Sequence, residues 1–294
     1  MYPNLKQDCY IFENKEPPYK KVCFGIRGQH GDIIMQEPAL RRFIEDNPDT
    51  KIVLGAYKQY ASILPLFEDY HKNIIGFKAF DGYNDWPTEA DQQYIKEEGF
   101  DAIFPNGIPI HQQADWAKHR HITTETGLIM GLGSSETKIN LKIPKSVVKE
   151  EKSACIHLFS SKWPGGTRSV SVGKQGVIVK HLLKKGYKVY QISAPHQPHI
   201  KGTIFSEGTY YDACIRMLSA DFLISCDSGM PFVASAYDHP TLGLFSSAYN
   251  PLVGTTKNWQ PVNPNAVYLE APLAEHLSIY TICEEIDKMI GSTK

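Results

Sequence analysis

The chain has 294 residues, 42% of them hydrophobic, with 31 lysines and arginines against 32 aspartates and glutamates. That length suits two domains of about 150 residues each. The balanced charge excludes a global field that would by itself recruit nucleic acid, so any such binding needs a local patch. Six cysteines (Cys9, Cys23, Cys155, Cys214, Cys226 and Cys283) are scattered without CxxC spacing, which excludes a disulfide frame or a structural zinc site. The polar first twenty residues lack the apolar core of a secretory leader, and no apolar run approaches the roughly 18–20 residues of a membrane span. A cytoplasmic protein is expected, bacterial or viral in a host cytoplasm.

Strand and helix patterns alternate along the chain. Lys21–Arg27 reads as a short buried strand, Asp32–Glu45 as a helix and Ile52–Leu54 as the next strand. Tyr60–Phe67 reads as helical, Asn73–Phe77 and Phe100–Phe104 as strands, and Thr88–Glu98 as the helix between them. This βαβ order predicts a parallel sheet. Ser134–Glu151, rich in Lys, Glu, Ser and Thr with weak periodicity, reads as a connection between domains. The pattern then restarts with strand Ala154–Phe159, helix Val172–Lys185 closed by Gly186, and strand Tyr187–Ile192. Helix Tyr210–Ser219, strand Phe222–Ser225, helix Ser228–Tyr237, strand Thr241–Phe245 and an amphipathic helix over Ala274–Ile290 complete it. The expected fold class is α/β, two Rossmann-like doubly wound domains with a cleft between them, over 1–145 and 146–294. In some folds of this type the last helix crosses back to the first domain.

Ligands of such sheets bind at the carboxyl ends of strands, so the loops there are the candidates for chemistry. The first contains Gly25, Gly28 and Gly31, then Asp32, in GxxGxxG rather than dinucleotide spacing. Gly28 and Gly31 would let backbone amides approach a ligand. Asp32 has two readings, the helix cap that Asp commonly provides and a general base within reach of an acceptor hydroxyl. The second loop, Phe159–Arg168, joins Ser160, Ser161, two glycines, Lys162 and Arg168 ahead of a helix, a set suited to a diphosphate or simply a solvated loop. The third, Ser225–Pro231, places Asp227, Ser228 and Gly229 at a helix start, where Asp227 could hold sugar or ribose hydroxyls. No Asp-x-Asp metal motif stands in a suitable loop, so neither metal nor cofactor is expected beyond a nucleotide-sugar co-substrate.

Taken together these segments resemble the heptosyltransferase-like glycosyltransferase family nine, of GT-B fold, over nearly the whole chain from Lys21. The motifs in order are Gly31-Asp32-Ile33-Ile34, Pro38-Ala39-Leu40-Arg41, Asn47-Pro48-Asp49, then Asp227-Ser228-Gly229, Ala234-Ser235-Ala236 and Pro240-Thr241-Leu242. The family's basic residue before Trp-Pro has two candidates: Lys162-Trp163-Pro164 copies the letters, and Arg168 lies at the better distance from the following helix. The resemblance implies inverting transfer from a nucleotide-diphosphate sugar, with Asp32 as base and Arg168, or Lys162, on the diphosphate. Two positions depart from the family pattern. Phe232 stands where a His is frequent, and Ser193-Ala194-Pro195-His196-Gln197 replaces a Gly and an acidic residue near the ribose. Sugar and base are therefore left unspecified.

The acceptor is expected on the first domain, where His111, Trp116, Lys118 and Arg120 lie near one another. Such a surface suits an acidic acceptor, either a phosphorylated saccharide or glycolipid core or DNA carrying a hydroxylated base. A solvated basic turn is the plainer reading. His119-x-His121 without a third ligand is weak evidence for metal. Two other classes remain open: a sugar-nucleotide epimerase and a non-catalytic sugar-nucleotide-binding protein.

Overall fold

A computed structural model describes residues 17–26, 28–81, 87–106, 121–124, 136–160, 168–247 and 256–292. The chain divides into two compact units, the first running to Lys142 and the second starting at Ile143.

In the first unit four parallel strands, β1 (Lys21–Ile26), β2 (Lys51–Tyr57), β3 (Ile74–Phe80) and β4 (Ala102–Asn106), lie in the order β3-β2-β1-β4. The order reverses between β1 and β4, because the chain builds outward through β2 and β3 and then returns to the other side of β1. Phe24 of β1 and Phe104 of β4 meet Phe43 with ring centroids 5.0–5.1 Å apart, an aromatic core on one face of the sheet.

The helix expected over Asp32–Glu45 is two helices, α1 (His30–Met35) and α2 (Glu37–Asp46). Pro38 explains the break. It has no N–H to give Ile34 and its ring would strike that carbonyl, so the helix restarts with Pro38 in its first turn. Pro65 likewise confines Ala61–Phe67 to a 3₁₀ turn. Helix α3 (Glu89–Glu98) starts on a Thr88–Asp91 capping box and ends at Gly99. The fully buried carboxylate of Glu37 accepts from Arg41 Nε at 3.0 Å, from Asn140 N at 2.8 Å and from the Tyr70 hydroxyl. Arg41 also donates to Glu136 at 2.9 Å and to the Lys138 carbonyl at 2.8 Å, so this polar knot ties 136–140 onto α2.

The second unit holds six parallel strands: β5 (Ser153–His157), β6 (Lys188–Gln191), β7 (Ile204–Phe205), β8 (Phe222–Cys226), β9 (Thr241–Ser246) and β10 (Ala266–Ala271). Their order, β10-β9-β8-β5-β6-β7, is that of the Rossmann sheet, reversing between β5 and β8. Short β7 and edge strand β10 lacked a sequence signal. β7 has two residues, and β10, an edge strand with no fully buried side chain, offers only the short run Ala266–Leu269. Helices α4 (Val172–Lys184), α5 (Tyr210–Ser219), α6 (Gly229–Ser235) and α7 (Ile279–Ser292) complete the unit.

Ile178, Val179 and Leu182 of α4 and Ile282, Ile286 and Met289 of α7 share one core with Ala154, Ile156, Ile224 and Leu242 of the sheet. Asp287 of α7 binds His181 of α4 and Lys185, the residue that caps it, each at 2.8 Å, so the last helix is packed on α4 of this unit. Among the described residues no helix is long and apolar enough to cross a membrane.

Candidate active site

Among the described residues, Gly28 and Asp32 lie after β1 in the first unit, and Ser160, Arg168, Asp227, Ser228 and Gly229 lie after β5 and β8 in the second, where the strand order of each sheet reverses. There neighbouring connections leave in opposite directions and open a crevice at the carboxyl edge.

In the first unit β1 runs into α1 through Gly28. Its φ of +108° is a conformation that side chains rarely allow, and a Cβ there would come within 2.5–2.8 Å of the Cβ, Oδ2 and Cγ of Asp32. The turn can therefore fold onto Asp32 only with glycine. Asp32 occupies the third position of α1 and its Oδ2 accepts the Gln29 N–H at 2.7 Å. The cap function is thus present. The carboxylate also sits partly exposed at the helix N-terminus, where negative charge is favoured. Gly31 lies within α1.

A second copy of this arrangement exists. Gly208, with φ +119°, would bring a Cβ within 2.6–3.1 Å of Asp212, whose Oδ2 accepts the Thr209 N–H at 2.7 Å. There the Thr209 hydroxyl also donates to Asp212 at 2.7 Å. These bonds hold the Asp212 carboxyl below its ordinary pKa. Gln29 carries no hydroxyl in the corresponding place.

In the second unit Asp227 follows β8 directly and Ser228 caps α6, its Oγ accepting the Met230 N–H at 3.4 Å. Arg168 returns to the same edge from the loop after β5, its Nη1 3.8 Å from Asp227 Oδ2. The sequence placed Arg168 and Asp227 in separate loops, and the fold brings them together as a largely buried ion pair. Burial pushes the Asp227 carboxyl above its ordinary pKa, with Arg168 opposing. The Cys226 thiol rises to about 12, chiefly through burial, so it is an inert core group rather than a nucleophile. Ser160 sits on the same loop, its backbone N–H bonded to Ser169 Oγ at 3.0 Å. Gly229 is the first residue of α6.

Two features of this edge carried no sequence signal. Glu275 accepts the Ser171 N–H and hydroxyl, each at 2.7 Å. It therefore brings a carboxylate to the start of α4, where a Rossmann sheet would otherwise receive a phosphate. His157, the last residue of β5, makes a 2.8 Å bond through Nδ1 to the Ile192 carbonyl. A strand ending in one His reads as a core strand, which hid it. Lys162, Ser161, His111, Trp116, Lys118 and Arg120 lie outside the described residues, as does His119. Among the described residues no group of three His, Cys, Asp or Glu could hold a metal ion.

No family model and no curated protein matches the sequence. Solved structures match it through shape. A glycosyl transferase of family 9 from Veillonella parvula superposes with a TM-score of 0.70 at 14% identity, over 93% of this chain and 98% of that one. The chain shares the GT-B fold of such enzymes. The E. coli ADP-heptose lps heptosyltransferase II follows with a TM-score of 0.69 at 13% identity, covering 93% of this chain and 99% of that one. TibC, an iron-containing dodecameric glycosyltransferase of enterotoxigenic E. coli, gives 0.64 at 14% identity, over 96% and 78% of the two chains. The two Rossmann-like units and the parallel order of their strands agree with these neighbours.

Proposed function

We propose that this chain is an inverting glycosyltransferase that moves a sugar from a nucleotide-diphosphate sugar to an acceptor hydroxyl. One observation carries the reading. Each unit sets its charged candidates at the reversal of its own sheet, Asp32 on the first and the Arg168–Asp227 pair on the second. The GT-B neighbours support it, one of them being named for ADP-heptose.

In this mechanism Asp32 takes the proton of the acceptor hydroxyl as its oxygen bonds to the anomeric carbon. The bond from that carbon to the diphosphate oxygen breaks on the opposite face, and the nucleoside diphosphate leaves with the electron pair. Arg168 neutralises charge growing on the diphosphate. A guanidinium presents N–H donors in a planar fork that suits diphosphate oxygens. The buried Asp227 carboxylate limits the local positive charge and fixes where the guanidinium sits. Lys162 remains the second candidate for that role. The acceptor is either a saccharide or glycolipid core or a hydroxylated base in DNA. Salt dependence separates them, since binding to DNA falls steeply with added salt.

The test is Asp32→Asn. The amide oxygen can still accept the Gln29 N–H, so the cap and the fold survive while the proton acceptor is lost. We expect turnover to fall about 10²- to 10⁴-fold, with donor binding kept. A specific observation favours a second reading, a sugar-nucleotide-binding protein without chemistry. The capping geometry of Asp32 is shared with Asp212, where it is structural. Unchanged turnover in Asp32→Asn would remove the base assignment, and no detectable transfer by the wild type with any donor would favour the binding protein.

A further inference from the structure

We propose that His157 is a ligand-contacting residue of the donor site, its Nε2 accepting a hydrogen bond from a hydroxyl of the nucleotide sugar. The inference rests on the donor-site reading above and names a contact that this reading lacks.

His157 ends β5, the strand at which the order of the second sheet reverses. It stands in register with Ser225 of β8, two residues before Asp227, and Ser225 Oγ donates to its carbonyl at 3.2 Å. His157 is therefore on the same edge of the sheet as the Arg168–Asp227 pair, one strand away, with its ring bonded toward the end of β6. Its orientation is set by the protein. Nδ1 lies 2.8 Å from the Ile192 carbonyl, an atom that can only accept, so Nδ1 carries the proton. In the neutral ring Nε2 then holds a lone pair, and it points away from Ile192. Among the described residues no group is hydrogen-bonded to Nε2, and the ring is only partly buried.

The chemistry of that atom selects its partner. A lone pair repels diphosphate oxygens, which are themselves acceptors, and it welcomes an O–H. Desolvation lowers the pKa of the imidazole, favouring the neutral form, with the Ile192 bond opposing. Hydroxyls are supplied by two parts of a nucleotide sugar, the ribose and the transferred sugar, and the experiment tells them apart.

Binding of ADP, 2′,3′-dideoxy-ADP and ADP-glucose, with the UDP and GDP counterparts, is measured for wild type, His157→Asn and His157→Gln. The Asn amide can take over the bond to Ile192 and has nothing at the position of Nε2. The longer Gln amide reaches that position. We expect His157→Asn to weaken the sugar nucleotide about 3- to 10-fold, the worth of one neutral hydrogen bond, with part of the loss restored in His157→Gln. An equal loss on ADP but none on the dideoxy form assigns the ribose. A loss confined to the sugar conjugate assigns the transferred sugar. Equal binding by wild type and His157→Asn to every probe overturns the proposal, and so does one common loss on all of them, which would mark a structural role. If the wild type binds none of the nucleotides, the donor-site reading itself fails, and that outcome is recognisable before any variant is made.

Discussion

Gly28→Ala tests whether the position of Asp32 matters for more than the cap. The added Cβ would stand 2.5 Å from Asp32 Cβ and 2.6 Å from Oδ2, on a backbone with φ +108°. Holding alanine there costs about 1–3 kcal/mol. Swinging Asp32 aside to relieve the contact loses the 2.7 Å bond from the Gln29 N–H, a further 0.5–1.5 kcal/mol or about that. The sum is about 2–4 kcal/mol, or roughly 5–15 °C in the melting point of a unit this size. The molecule supplies its own control. Gly208→Ala meets Asp212 at 2.6 Å on a backbone with φ +119° and breaks a capping bond of the same 2.7 Å. Both variants should melt early by similar amounts. Turnover measured well below both transitions should fall about 100-fold or more in Gly28→Ala, as misplacement of a catalytic group by an ångström does, and stay near wild type in Gly208→Ala. Equal losses in the two, or normal turnover in Gly28→Ala, would refute the reasoning.

The other predictions concern the second unit. Arg168→Ala should weaken nucleoside diphosphate binding about tenfold or more, whereas Asp227→Asn, which removes an anion beside the diphosphate, should tighten it. If Asp227→Asn instead weakens only sugar conjugates, Asp227 holds the sugar and does not position Arg168. Turnover should survive exhaustive treatment with EDTA, and a loss restored by iron or magnesium would refute the metal-free mechanism, a live question because TibC is called iron-containing. His239 is buried, and burial together with Lys149 lowers its pKa to about 3. The unfolded chain binds its proton near pH 6.5 or so and the folded one does not, so stability is full above that value and falls as the pH drops toward 3. His239→Leu should therefore lose less stability than wild type between pH 7.5 and 4.5 in urea unfolding, and an unchanged difference would count against this assignment.

Much of the fold was legible because apolar periodicity follows burial. β5, β8 and β9 are almost wholly buried and read as continuous apolar runs, and α4 carries both its Ser171 cap and its terminal Gly186 in the letters. β10 was not read, since its short run Ala266–Leu269 is too brief to stand out beside the loops around it. The division at Gln36 was legible in principle from Pro38 but was masked by the strong apolar stripe on both sides. At the site, Asp32, Arg168 and Asp227 could be named from loop position. Their pairing could not, because the 3.8 Å approach of Arg168 to Asp227 joins segments about sixty residues apart. Glu275 and His157 were invisible for a related reason. Each acts through one contact made by the fold, Glu275 on Ser171 and His157 on Ile192, and neither lies in a motif.

Among the described residues three helices begin with an aspartate at the third position that accepts the N–H of the capping residue: Asp32 from Gln29, Asp91 from Thr88 and Asp212 from Thr209. Local geometry alone would make all three structural, since each forms a capping box, with Gln29, Thr88 and Thr209 as the capping residues. Topology separates Asp32 from the other two. Asp91 follows β3 and Asp212 follows β7, the outermost strands of their sheets, whereas Asp32 follows β1, beside which the order reverses. At an outer strand the carboxyl edge has a neighbour on one side only and forms no crevice. At the reversal, connections diverge on both sides, and this is where sheets of this type bind their ligands. A carboxylate already held by its own helix needs no further ordering to act as a base. In the proposed mechanism the cap and the base would be one arrangement, distinguished from the other two by its place in the sheet.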